Sequence, residues 1–404
     1  MFNPSQIQEL REALTKDPTL KGFAGAHLNK ASVVYGERPE IVWTAPASSG
    51  AMRAPARVFG SPEYPSCMHG IIDGFLALPA PIIQAVDHAR VIGNSAVIDA
   101  DGRLYLPKLV TNEDDIRHLM DKRSWIEDGF LVEDGLSGPQ AVFWAPFDES
   151  IIKKTALFLH NLEPANYGSF LIRQLPQMLL ARQAGLAFDC YVTPTRTSWF
   201  MEALRETGLP ELPVFSAREV AGRPFQKILL PSAFDAEGFY SPEMAAEING
   251  FAESLGGAQR PPKRFYASRL MSSTSRRWYR VLQNEPEIER IAHRAGFEVF
   301  YPETLSFREQ VRTFASATQI FGPSGSGLLN AIFTQKGGRV VDLESFHVTV
   351  RQHAKVYAST GKIYGFGFGH FIPGTEDKQR HHRPWVMPED DINAIIDWLG
   401  ASID

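Results

Sequence analysis

The stretch Phe321-Gly322-Pro323-Ser324-Gly325-Ser326-Gly327-Leu328-Leu329-Asn330 decides the fold. The apolar run Gln319-Ile320-Phe321 leads into it, and a helical pattern from Leu328 to Phe333 leads out. Strand, glycine turn and helix in that order make the first half of a βαβ unit, whose strands pair in parallel. A turn of this kind sits at the carboxyl end of its sheet, where backbone N–H groups and the positive end of a helix dipole attract an anion. Gly322, Gly325 and Gly327 allow a phosphate close to the main chain, and Ser324 and Ser326 add hydroxyl donors. Ser324, Gly325, Ser326 and Gly327 are therefore expected to bind substrate. Glu344 follows the next strand, Arg339 to Leu343, about 20 residues beyond the loop, where an acidic side chain accepts hydrogen bonds from ribose hydroxyls.

The spacing also excludes alternatives. No Gly-Lys-Ser/Thr follows, so the loop is not a P-loop, and it lacks the G-x-G-x-x-G order of hydride-transfer cofactors. Around Ser324 it comes close to the nucleophile elbow G-x-S-x-G, with Ser326 in place of the last glycine. Asp342 with His353 or His370 stands downstream, so a serine hydrolase using Ser324 is kept as a third reading.

Working outward, Pro261-Pro262 reads as a linker into the strand Arg264 to Ala267. Asn284 with Glu287 and Ser306 with Glu309 have capping-box spacing, Phe297 to Phe300 is a strand between them, and a terminal helix runs near Asp390 to Leu399. Arg264, Arg269, Arg276, Arg277 and Arg280 surround Ser272 to Ser275, and one or two of them suffice to grip a diphosphate. Further upstream, from about residue 155, the same βαβ rhythm appears: Ala156 to Leu159 as strand, Tyr167 to Ala184 as helix, Phe188 to Val192 as strand. Phe170, Leu171, Leu175, Met178 and Leu179 form the core face of that helix. Residues 1–150 read as β-rich, with Val33 to Tyr35, Glu40 to Trp43, Ala89 to Ile92 and Ser95 to Ile98 as strands and a hairpin turn at Asp101-Gly102. The fold class expected is α/β, two Rossmann-like domains facing a cleft, with a β-rich N-terminal segment.

Length and composition fit. At 404 residues, two domains are the default, and 44% hydrophobic with 22% charged residues describes a chain that buries a core. A net charge of −5 makes general nucleic-acid binding a poor expectation, so an anionic ligand must be held locally. Cys67 and Cys190 have no C-x-x-C spacing, which points to a reducing compartment and away from a cysteine zinc site. No secretory leader pattern opens the chain, and the most apolar stretch, Gly70 to Val86, is broken by Asp73, Pro79 and Pro81. A cytoplasmic protein without a transmembrane segment is expected, with membrane contact at most peripheral.

Several of these elements together resemble a known family. Tyr266 to Arg269, Arg280 to Glu285, Gly296 to Val299, Leu305 to Phe307, Gly322 to Leu328 with Asn330 and Phe333, and Gly338 to Glu344 look like the C-terminal signature of glycosyltransferase family 61. Asn166-Tyr167-Gly168 and Leu175-Pro176 resemble its N-terminal motif. The resemblance covers roughly residues 155 to 350. It implies a GT-B architecture and an inverting transfer of a sugar from a nucleotide-sugar donor to a glycan, as in bacterial capsular polysaccharide biosynthesis. The domains implied are 1–150, packed on the acceptor domain, 151–258 as the acceptor half, and 259–404 as the nucleotide-sugar-binding half. Most family members carry His where this chain has Ser324, and His and an acidic residue where it has Ser169 and Arg173. A non-catalytic relative that binds a nucleotide sugar or polysaccharide is therefore the second reading. Arg173 suits an acidic or phosphorylated acceptor.

An inverting transfer needs a base for the acceptor hydroxyl and a counter-charge for the departing diphosphate. His160, at a strand end near Asp148, Glu149 and Glu163, is the candidate base, and Arg269 the candidate counter-charge. Arg280, Asn284, Asn166 and Arg173 are assigned to substrate binding, as are the loop residues and Glu344; His347 and Arg351 lie within reach of the donor. The one D-x-D pair, Asp99-Ala100-Asp101, reads as a hairpin turn, and His381-His382 lacks further ligands, so no metal and no cofactor are expected. Trp125, Trp144 and Trp199 read as buried rather than as sugar platforms.

Overall fold

The computed structural model describes all residues except 1–26, 34–38, 47, 61–73, 79, 106–129, 136–137, 146–149, 162, 233–239, 257–260, 262, 272–278, 346–349, 380–381 and 402–404. Cys67, Trp125, Asp148, Glu149, Arg276, Arg277, His347 and His381 lie outside the described residues, as do the side chains of Trp144 and Arg351. The chain divides into two units, Met1–Pro46 with Ala80–Ala236, and Ala47–Pro79 with Glu237–Asp404. The unit boundaries thus differ from 150/151 and 258/259.

The second unit is built on a six-stranded sheet in the order Glu298–Phe300, Lys263–Ala267, Ala317–Pro323, Arg339–Glu344, Ile363–Phe368, Arg57–Phe59. Every neighbouring pair in it is parallel. The central strand Arg339–Glu344 is buried at every position, as expected where helices cover both faces of a parallel sheet. Its apolar residues pack with Tyr266, Phe321, Ile288 and Ile395 into one core. Helix Phe307–Ala315 starts as its spacing predicts, with the Ser306 hydroxyl accepting from the Glu309 amide. Asn284 does not cap helix Glu285–Arg294; its side chain accepts from the Met387 amide and donates to the Met387 carbonyl at 2.7 Å. The edge strand Arg57–Phe59 comes from the N-terminal third of the chain and pairs with residues 365–367.

The strands after residue 237, taken in chain order, lie in space as second, first, third, fourth and fifth. The order reverses between Lys263–Ala267 and Ala317–Pro323. Connections from those two strands leave to opposite sides there, opening a crevice at their carboxyl ends. The two backbones are close: a Cβ placed on Gly322 would lie 2.2 Å from the Ala267 carbonyl oxygen.

The first unit carries parallel strands in the order Val214–Ser216, Cys190–Thr193, Ile152–Phe158, Phe225–Pro231. The last pairs antiparallel with the eleven-residue strand Ile82–Ile92, which extends the same sheet into the β-rich segment. Ala96–Ile98 and Arg103–Tyr105 form the expected hairpin, closed by the Arg103 amide donating to Asp99 Oδ1 at 2.8 Å. Asp101 pairs with the Arg103 guanidinium, so both D-x-D carboxylates serve the turn. Helical residues 167–184 keep Phe170, Leu171, Leu175, Met178 and Leu179 fully buried, and Gly185 ends them with φ 61°. No helix among the described residues is long and apolar enough to cross a membrane.

Gly322 tests the close strand approach. Gly322→Ala must separate the backbones, and a loss of about 2–4 kcal/mol in urea-unfolding stability is expected, at the upper end of overpacking costs. A variant as stable as the parent would refute the packing.

Candidate functional site

At the reversal point of the second unit, Arg269 leaves the end of strand Lys263–Ala267 and reaches across to the next one. Its Nη1 donates to the Ser324 carbonyl at 2.8 Å. The guanidinium lies over Gly325, where a Cβ would come within 3.3 Å of it. Gly325 also has φ 149°, a backbone conformation that favours glycine, so two independent constraints require it. Burial, with nearby Arg280 adding to it, lowers the Arg269 pKa to about 10, and the group stays cationic at neutral pH.

Arg280 is the second cation there. Its Nη2 donates to both oxygens of Glu344, at 3.1 and 3.0 Å, and both side chains are buried. Its φ of 53° is unusual for a residue with a Cβ; strain of this kind persists where surrounding contacts impose it. Those contacts are visible: the Trp385 indole donates to the Arg280 carbonyl, and Val281 and Gln283 hydrogen-bond the Trp385 main chain. The expectation that Glu344 meets ribose hydroxyls is corrected, because its carboxylate is fully buried and holds Arg280.

Ser324 is also redirected. Its hydroxyl is buried and donates to Asp342 Oδ2 at 3.0 Å, so it does not point at a ligand. Asp342 gathers two more groups from helix Val350–Ser359, His353 Nδ1 at 2.5 Å and the Tyr357 hydroxyl at 2.8 Å. Ser324, Asp342 and His353 do meet, as a hydrolase would need, but in the wrong order. The serine bonds the carboxylate directly, and the histidine turns toward Asp342 the same Nδ1 that lies 3.5 Å from Ser324 Oγ. A relay needs the imidazole between serine and carboxylate, one nitrogen to each. The structure therefore does not support a serine hydrolase at Ser324. The segment Leu328–Phe333 is a six-residue 3₁₀ helix, too short for the helix dipole the sequence suggested. The amides of Gly325, Gly327 and Leu328 donate to no acceptor among the described residues.

Arg264, the other described arginine of the basic cluster, is a strut. It donates to Gln319 Oε1 and the Ala295 carbonyl and lies 4.1 Å from the Phe297 ring centroid.

In the first unit the reversal point lies between Ile152–Phe158 and Phe225–Pro231, and residues 159–161 emerge there. His160 is placed as expected but cannot be the base. It is buried, its Nε2 donates to the Pro231 carbonyl at 3.1 Å, and Gln177 covers Nδ1 at 3.4 Å. Burial pulls its pKa down to about 3. Beside it a chain of hydrogen bonds runs from Arg173 to Ser169, from Ser169 to Asn161 at 2.5 Å, from Asn161 to Gln174 at 3.2 Å, and from Gln174 to Leu159 O and Thr193. Residues Phe170–Gln174 form a π-helical turn inside the helix, a feature found most often at functional sites. Asn166 caps this helix through the amides of Gly168 and Ser169 and donates to Glu163 Oε2 at 2.8 Å. Trp199 packs edge-on against Tyr167 and is half-buried, not fully buried as expected.

Each unit thus has polar groups at its reversal point, and in the second one arginine lies over a glycine turn with another beside it. Residues 167–341 match the family model Glycosyltransferase 61, which supports a glycosyltransferase and hence a sugar donor and an acceptor. No curated protein matches the chain.

Arg280→Ala removes the guanidinium that bonds both oxygens of the buried Glu344 carboxylate, so a loss of about 3–5 kcal/mol is expected, with Arg280→Ala/Glu344→Gln recovering part of it. Equal stability of the single and double variants would refute the pair. For His160 the folded pKa of about 3 lies below the ordinary histidine value of 6.5, so the unfolded chain binds more protons between them. Stability should fall as pH drops through that window. His160→Gln should flatten the slope of unfolding free energy against pH there, whatever its absolute stability; an unchanged slope contradicts the burial.

Proposed function

We propose that this protein is an inverting, metal-independent glycosyltransferase of GT-B type that moves a sugar from a nucleotide-sugar donor to a glycan of capsular or other surface polysaccharide, in the cytoplasm. The observation that carries this reading is Arg269 laid across the Gly325 main chain at the strand-order reversal of the second unit. A diphosphate seated on the amides of residues 325–328 would meet that guanidinium, which neutralises charge as the nucleoside diphosphate departs. Arginine charge takes the part that a divalent ion plays elsewhere. The acceptor is assigned to the polar edge of the first unit, with Arg173 favouring an acidic or phosphorylated glycan. Because His160 is enclosed, the acceptor proton is assigned to Glu163, an exposed carboxylate on the same loop whose Oε2 is steadied by Asn166.

Calorimetry with UDP, GDP and CDP tests the donor site. One of them should bind, and Arg269→Ala should weaken it by about 10- to 100-fold, the worth of one or two hydrogen bonds to a charged group. A folded protein that ignores all three nucleotides defeats the reading. Glu163→Gln should keep nucleotide affinity while lowering kcat by about 100-fold or more, the usual contribution of a general base; unchanged turnover removes Glu163 from that role.

A further inference from the structure

Glu285, the first residue of helix Glu285–Arg294, is buried without any exposed surface. Its Oε1 accepts from the Arg269 amide at 2.6 Å and from the Ser268 hydroxyl at 3.1 Å. The same Ser268 oxygen accepts from the Leu270 amide at 3.0 Å. One carboxylate oxygen thus fixes three consecutive residues, 268–270, at the end of strand Lys263–Ala267. Among the described residues the other oxygen, Oε2, has no hydrogen bond of good geometry, its neighbour being the Tyr266 hydroxyl, and Glu289 Oε1 is likewise without one.

Burying a carboxyl with one oxygen unsatisfied costs several kcal/mol, which a chain avoids by placing an apolar residue there unless the group has a task. The geometry supplies the task. Arg269 reaches Ser324 and Gly325 only if its own main chain is held, since a long side chain otherwise spreads over many rotamers. We propose that Glu285 is a positioning residue: through the main chain of residues 268–270 it aims the Arg269 guanidinium at the Gly325 loop and so sets the affinity of the site for a nucleoside diphosphate. The ligand half of this rests on the donor-site reading above; the positioning half does not.

The groups that face the Glu285 carboxyl are the Arg269 amide and charge, the Ser268 hydroxyl, the Tyr266 hydroxyl and the Glu289 carboxylate, with Tyr301 bonded to Glu289 behind it. Burial raises its pKa to about 7, against the pull of the Arg269 and Ser268 hydrogen bonds. A diphosphate beside Arg269 adds negative charge nearby and should draw a proton onto Glu285. Binding is then expected to take up a fraction of a proton near pH 7.5.

Hydrogen exchange read by mass spectrometry tests the positioning without any ligand. Glu285→Ala should speed exchange of amides 268–270 and 325–328 by about tenfold, the equivalent of one lost hydrogen bond. Glu285→Gln, whose amide oxygen still accepts, should stay near the parent. Should Glu285→Ala fail to fold, Glu285→Asp keeps the charge but not the reach and should loosen the same amides. A folded Glu285→Ala or Glu285→Asp with parental exchange in both segments overturns the proposal. With the nucleotide that binds the parent, Glu285→Ala should lose about tenfold in affinity. Glu285→Gln should keep affinity within threefold of the parent while losing the proton uptake, measured in two buffers of different ionisation enthalpy. Retained uptake in Glu285→Gln excludes Glu285 as the titrating group. Loosened amides together with no nucleotide binding by the parent would uphold the positioning and count against the donor-site reading.

Discussion

The contact on which the proposed donor site depends is the one between the Arg269 guanidinium and the main chain of Ser324 and Gly325. It needs three things at once: two parallel strands approaching until Gly322 has no room for a Cβ, a glycine at 325, and a main chain at 268–270 held from below by Glu285. None of these is local to the others in sequence. All three follow once the strand order reverses between Lys263–Ala267 and Ala317–Pro323, because reversal leaves the strand ends uncovered by their own connections.

The resemblance to glycosyltransferase family 61 suggested that Ser169, Arg173 and Ser324 are departures from a pattern, and the structure shows what each does instead. Ser169 and Arg173 bond to each other. The polar chain from Arg173 to Thr193 passes through them and leaves the π-helical turn tied to the sheet. Ser324 replaces a larger ring in a place where Asp342 already receives His353 and Tyr357, and the small hydroxyl fits as a third donor to that carboxylate. A buried carboxylate with three donors is well satisfied, and it fixes the start of the glycine loop. The replacements keep the scaffolds of both sites and change what their surfaces offer.

The elements were legible in the sequence, since apolar periodicity dictates them: the strands at 263–267, 317–323 and 339–344 and the helices at 307–315 and 389–400 fall where their patterns put them. So was the gathering of Arg269, Arg280, Ser324 to Gly327 and Glu344, because they end adjacent strands or follow them. What spacing does not carry is side-chain direction. Glu344 and Ser324 were expected to face a ligand and face inward. Asn284 was expected to cap a helix and reaches Met387, 103 residues away. His160 illustrates the limit best: its place at a strand end is legible, but Pro231 and Gln177, which enclose it, come from other parts of the chain. Glu285 left only the ordinary signal of an acidic first turn. The strand Arg57–Phe59 had no signal at all toward the sheet it completes, for three residues are too few to show a period.

On the proposed donor-site reading, the distribution of charge would let an acidic chain hold an anion without a broad basic surface. Arg280 is neutralised by Glu344 at close range, so its charge is largely spent on structure, while its position beside Arg269 still raises the local potential. Among the described residues no carboxylate bonds the Arg269 guanidinium; it donates to a carbonyl, which neutralises none of its charge. The site thus presents roughly one unit of fixed positive charge and several oriented amides. A diphosphate carries more negative charge than that. Binding to such a site is favourable through aligned dipoles in a low-dielectric pocket rather than through charge excess, and a site so balanced releases its product where a cluster of free cations would retain it. On the proposed reading, in which a nucleoside diphosphate is discharged after every transfer, two arginines of which one is already paired would serve better than five.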